Sequence, residues 1–237
     1  GGFMYPWGTS QSREQLFQGA LLLATGPATI SDVSYIENRM DPLDVKFNHD
    51  FKVAAGGNTV KAAPGMYADQ EISGVYNDSL AGSGMLGITV TQYSYAWSAT
   101  PDRDYVIVEY GLAGPKTKNV DGLYVAQHID WDVGADGGND LAGFDRASAL
   151  AYMYDSTSGT WVGHALLTQA VAGYRALNFA RDIQDGFSAA EKFGAMTTGG
   201  ERDSLSGPKG DWGELLSAGP VFLKPGRAVP VAFAVIG

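Results

Sequence analysis

Leu123-Tyr124-Val125-Ala126-Gln127-His128-Ile129-Asp130-Trp131-Asp132-Val133 is the stretch on which the fold turns. In an extended strand successive side chains point to opposite faces. A strand over 121–133 therefore places Val125, Ile129, Trp131 and Val133 largely on one side and His128, Asp130 and Asp132 on the other. The chain then runs into Gly134-Ala135-Asp136-Gly137-Gly138-Asn139-Asp140. Its glycines make the backbone pliable, so Asp130, Asp132, Asp136, Asn139 and Asp140 are candidate ligands for one hard cation, which takes roughly 6 to 8 oxygens. Calcium is the expected ion. The register departs from the EF-hand pattern, and a loop of Asx turns whose carboxylates cap backbone amides is the competing reading. His128 beside Asp130 also fits a zinc or manganese pair, against a plain hydrogen-bonded strand histidine.

Outward from this stretch, short alternating or β-branched segments recur between turn signals. Strands are expected at 17–24, 28–36, 46–54, 67–76, 86–97, 103–112, 121–133, 147–154, 160–167 and 228–236. Gly56-Gly57-Asn58, Gly82-Ser83-Gly84 and Ser156-Thr157-Ser158-Gly159 are among the turns. Ser188-Ala189-Ala190-Glu191 is a capping box, which starts a short helix near 188–198; residues 211–216 read as a second helical turn. The expected fold is all-β and mainly antiparallel, a β-sandwich of jelly-roll kind with one or two short helices. The whole span 1–237 reads as one domain, with 1–16 as a docking arm.

The composition narrows the function. With 45% hydrophobic residues the chain can bury a sizeable core, while a net charge of −10 disfavours nucleic acid and anionic membrane surfaces. The absence of cysteine excludes disulfides and thiolate chemistry. No apolar run near the start approaches the roughly 20 residues of a membrane span. The chain begins at Gly1 without an initiator methionine, which suits a processed or trimmed product.

The segments Tyr105-Val106-Ile107-Val108-Glu109-Tyr110, Leu123 to Gly134, Asn139-Asp140 and Ala151-Tyr152-Met153-Tyr154-Asp155 resemble a β-sandwich module of large secreted bacterial surface proteins, some of them subtilisin-like peptidases with a C-terminal sorting tail. Ser217 to Gly226, Val229 to Ile236 and Tyr5-Pro6 extend the resemblance over most of the chain. It implies a secreted or envelope location, periplasm or cell surface, and no defined activity. Relatives usually continue past the point where this chain stops, and no peptidase domain precedes the module, which casts doubt on that sorting route and suggests a free-standing or matured subunit.

Three functional readings result. The first is a non-enzymatic structural or interaction subunit of a larger bacterial envelope or extracellular assembly, stiffened by calcium in its acidic loop. Phe3, Tyr5 and Trp7 are its candidate protein contacts with other subunits, because an apolar terminus should tuck into its own domain or dock on a neighbour. The second is a carbohydrate-binding module, with Tyr93, Tyr95 and Trp97 alternating on one strand as stacking residues and Tyr152 and Tyr154 on another; core packing competes for the same stripes. The third is a glycan-active enzyme with Asp130 and Asp132 as the acid-base pair and Asp104, Glu109 or Asp145 nearby. No Gly-x-Ser-x-Gly elbow or His-Glu-x-x-His helix is present.

Overall fold

The computed structural model describes residues 3–6, 8–10, 12–135, 137–198 and 208–237. The chain enters through a short antiparallel pair, β1 (Met4–Tyr5) and β2 (Arg13–Glu14). There follow β3 (Leu16–Gly26), β4 (Thr29–Asp32), β5 (Lys52–Val53), β6 (Val60–Ala62), β7 (Gln70–Asn77), β8 (Thr89–Ala96), β9 (Tyr105–Ala113) and β10 (Val120–Trp131). The second half adds β11 (Asp140–Asp145), β12 (Leu150–Asp155), β13 (Thr160–Leu166), β14 (Val171–Asn178), α1 (Ala189–Thr197), β15 (Trp212–Leu223) and β16 (Ala228–Ile236).

Two antiparallel sheets make the sandwich. A five-stranded sheet has the order β14-β15-β10-β3-β4; a nine-stranded sheet runs β11-β12-β13-β16-β9-β8-β7-β5, with β6 also paired to β7. The expected all-β sandwich is the observed fold, and β10 holds the middle of the smaller sheet. Its His128 stands opposite Leu215 of β15 and Ala20 of β3. Its Val125, Ile129 and Trp131 enter the core between the sheets, where they meet Phe144, Phe233 and Val231 from the other sheet. Each such fully buried side chain contributes about 1.5–3 kcal/mol.

The alternate residues of β10 do not reach solvent. Ala126, with Leu22 of β3 and Leu215 of β15, belongs to a second core on the far side of the five-stranded sheet, closed by Tyr35, Phe187 and the α1 residues Ala195 and Met196. This sheet is therefore buried on both faces. α1 starts where the capping box predicts: Ser188 Oγ accepts the Glu191 N–H at 3.3 Å, and Glu191 accepts the Ser188 N–H at 2.9 Å. No helix among the described residues is long and apolar enough to cross a membrane.

The expected helical turn at 211–216 is wrong, because these residues open β15. Trp212, Glu214 and Leu216 alternate with Gly213 and Leu215, and the ladders to β10 and β14 take up the backbone groups on both sides. Tertiary pairing here overrides a weak local preference. The expected strand at 46–54 shrinks to β5, and strands β11 and β14 had not been foreseen.

Candidate functional site

The acidic stretch becomes largely buried, its carboxylates divided between the two cores. Asp130 projects from β10 into the second core, where the Tyr35 hydroxyl donates to its Oδ2. Burial, with the nearby charges of Asp211 and Asp132, pushes the Asp130 carboxyl up to about 7 against the pull of the Tyr35 hydrogen bond. Asp132 lies just past the strand end, its N–H donating to the Gln15 carbonyl at 3.0 Å. Asp140 opens β11 and faces inward, accepting the Val133 N–H at 3.3 Å; burial, then Asp155, Asp132 and Asp211, raise it to about 8.

Asp130 is thus bound to Tyr35 on one side of the sheet while Asp140 accepts from Val133 at the edge of the central core, with the Asp132 charge acting on both. Among the described residues no three His, Asp or Glu side chains converge to hold a metal ion. Asp136 lies outside the described residues. Asn139 ends a short 3-10 turn, Gly137–Asn139. His128 is a core histidine, ringed by Tyr35 at 5.5 Å and Phe187 at 6.2 Å, and burial lowers its pKa to about 4.

Two further buried polar groups had no sequence signal. Lys192 of α1 is almost wholly buried, with Nζ 3.1 and 3.0 Å from the two Asp32 oxygens. Ser34 and Asn48 donate to the same carboxylate. In the central core Glu214 of β15 accepts from the Tyr174 hydroxyl at 3.0 Å and lies 4.0 Å from His164 Nδ1 of the facing sheet. Burial drives Glu214 up to about 8, against hydrogen bonds from Tyr174, Trp131 and the Tyr152 backbone. Burial also drives His164 down to about 3, so both shifts favour the uncharged forms.

Of the acid-base pair Asp130 and Asp132, Asp130 is 5% exposed and is covered by Tyr35. The N-terminal contacts are likewise turned inward. Phe3 packs edge-on against Trp131 at 6.1 Å, and Tyr5 rests on the central core, its carbonyl accepting from Gln15 at 2.8 Å. Both rings, partly buried, thus pack against the chain's own core, since burying an aromatic ring is favourable with or without a partner. Trp7 lies outside the described residues.

The open surface that remains is the outer face of the nine-stranded sheet. A pocket of about 340 Å³ there is lined by Asp145, Leu150, Tyr152, Trp161 and Ile236, with Gly163 among its walls. Trp161 is 49% exposed. Its ring is 4.4 Å from Tyr154 and 5.8 Å from Tyr152, which makes a continuous aromatic wall from β12 and β13. Glycine at 143 permits this: a Cβ there would stand 2.6 Å from the Tyr152 ring. Asp145, fixed by Ala147 N–H and Ser148 Oγ, is held below the usual carboxylate range by those bonds and is charged. Tyr93 and Tyr95 lie on the same outer face, stacked at 6.3 Å, and Trp97 packs on Tyr105 at 5.4 Å. Trp161 was absent from the sequence-based candidates, although its alternation with Val162 and proximity to the Tyr152 and Tyr154 stripe were there to be used.

No family model and no curated protein matches this chain, and the secreted surface module it resembles in sequence gains no family-level support. A bacterial glucoamylase solved with acarbose is similar in structure, with a TM-score of 0.56 at 9% identity, over 96% of this chain. The chain spans 27% of that enzyme's length, and at this identity the likeness concerns the fold.

Proposed function

We propose that this chain is a non-catalytic, glycan-binding β-sandwich module of a larger extracytoplasmic protein or assembly. The observation that carries the reading is the pocket formed by Trp161, Tyr152 and Asp145. An exposed aromatic ring beside a charged acceptor is the chemistry that recognises a sugar, whose C–H face stacks on the ring while its hydroxyls donate to the carboxylate. The structural likeness to a portion of a glucoamylase supports neutral glucans as the ligand class. A binding role is favoured over hydrolysis because glycosidases flank the scissile bond with two carboxyl groups roughly 5–9.5 Å apart. The described lining of this pocket offers Asp145 alone.

Isothermal titration calorimetry with maltose and cellobiose tests the proposal. Trp161→Ala should weaken binding by at least about tenfold, or ~1.4 kcal/mol, with an unchanged circular dichroism spectrum. Undiminished affinity in the folded variant would move the site elsewhere.

An interaction role alongside glycan binding is favoured by a separate feature. Val53, Val60, Met66 and Tyr67 lie on or beside the edge made by β5, β6 and the turn into β7, with Met66 81% and Tyr67 73% exposed. Large apolar side chains in water at a sheet edge mark a contact with protein. A Met66→Glu, Tyr67→Glu double variant should lose co-purification with its native partner while remaining folded; retained co-purification removes the reading.

A further inference from the structure

The pocket at Trp161 borders the rest of the outer face along the β16 strand. Inter-strand register places Tyr152 of β12 beside Gly163 of β13, Gly163 beside Ile236 of β16, and Ile236 beside Tyr105 of β9. One row further along, Leu150, Ala165, Ala234, Ile107 and Tyr95 follow one another across these four strands and β8. A third row pairs Ala232 with Glu109 and Glu109 with Tyr93. Val231, Phe233 and Val235 fill the central core, so Ala232 and Ala234 face outward with their strand's opposite set. They are nonetheless buried, as is Ala165. Small outward side chains sheltered by taller neighbours are the floor of a trough.

We propose that this trough binds an extended neutral oligosaccharide, held at one bank by Trp161 and Tyr152 and at the other by Tyr95 and the Trp97–Tyr105 pair. The inference rests on the glycan-binding reading and gives it a direction and a ligand length. Strands lie about 4.8 Å apart, so the three spacings from β12 to β9 set the banks roughly 14 Å apart, too wide for a single sugar ring to touch both. Each side carries its own acceptor: Asp145, opposite Leu150 and lining the pocket with Tyr152, and Glu109, opposite Tyr93. Rings interleaved with carboxylates suit a hydroxyl-rich chain better than an apolar protein surface, which would leave two charges desolvated without partners. The same carboxylates and the net charge of −10 repel acidic polysaccharides.

Calorimetry with two ladders, maltose through maltoheptaose and cellobiose through cellohexaose, tests the trough on the intact chain. One ladder should gain on the order of tenfold in affinity from its shortest to its longest member as the second bank is reached. Tyr95→Ala should abolish that gain and leave disaccharide affinity unchanged. Trp97→Ala provides the same reading should Tyr95→Ala lose the folded circular dichroism spectrum. Trp161→Ala should weaken every length. Affinity independent of length, with Trp161→Ala still disruptive, overturns the trough and leaves the single pocket standing. No binding to either ladder overturns both.

Discussion

Replacing Glu214 with glutamine should leave the protein as stable as before in acid and make it markedly more stable in mild alkali. The native carboxyl keeps its proton up to about pH 8, whereas in the unfolded chain it releases it near the ordinary 4.5. Between those values the folded state binds more protons than the unfolded one, so wild-type stability falls as pH rises, by at most ~1.4 kcal/mol per unit. Below 4.5 the stabilisation is complete; above 8 the loss is complete. Over the whole window it approaches roughly 5 kcal/mol, a large part of the 5–15 kcal/mol typical of a folded domain.

Glutamine has no proton to lose and keeps the shape. Its Oε1 can still accept from Tyr174, 3.0 Å away, and its amide can turn to His164 Nδ1, which has no hydrogen-bond partner among the described residues. His164, with its pKa lowered to about 3 by burial, stays neutral across the window from 4.5 to 8 and adds nothing to the difference there. Urea unfolding of wild type and Glu214→Gln, at pH values below 4.5, within the window and above 8, gives that difference directly. Parallel stability curves would refute the reasoning. So would a variant that is weakest at neutral pH, because that outcome belongs to an ionised Glu214 paired with a protonated His164.

Three other outcomes follow from the packing. Lys192→Met strands the Asp32 carboxylate and should cost about 3–5 kcal/mol in chemical unfolding, with Asp32→Asn in the same chain recovering part of it; a Lys192→Met protein as stable as wild type would show the pair to be dispensable. Phe3→Ala removes the ring against Trp131 and should lower stability by about 1–2 kcal/mol, below the 3–5 kcal/mol of a fully buried phenylalanine, read as a fall in melting temperature; no fall would return Phe3 to the role of a docking residue. Calcium binding by the acidic loop, for which Asp136 would have to join Asp132 and Asn139, predicts a higher melting temperature in excess calcium and loss of the increment in Asp132→Ala; identical melting in calcium and in chelator removes the ion from the account.

The alternation through Val125, Ile129 and Trp131 was enough to place β10 and to separate its two faces, because a period of two is a local property of the strand. It was silent on what covers each face. Asp130 and His128 share the strand face opposite the apolar set and are candidates to meet an ion, yet Tyr35, Phe187 and Lys192, distant in sequence, close over them. The capping box located α1 because it too is a local hydrogen-bond pattern. Residues 211–216 were misread because Trp212-Gly213-Glu214-Leu215-Leu216 has little strand propensity and is extended by the ladders on both sides. Tyr93 and Tyr95 were correctly read as sharing a strand face, whereas the trough beside them depends on Gly163, Ala165 and Ala234, and its floor becomes recognisable only when the register across five strands is known.

The division of labour between the two sheets follows from their burial. The five-stranded sheet is sealed by the central core on one side and by α1 and the 33–48 segment on the other. Among the polar groups it encloses, Asp130 under Tyr35 and Glu214 under Tyr174 each take a hydrogen bond from a partner fixed in the fold. A buried group held in this way can specify register but cannot meet a ligand without unfolding its surroundings. The outer face of the nine-stranded sheet is in the opposite condition. Trp161 and Tyr93 are large rings left substantially in water, although the core beneath them is well filled. Rings of that size held in a row above a floor of glycine and alanine are placed for contact, and the carboxylates beside them choose a ligand that can both stack and donate hydrogen bonds.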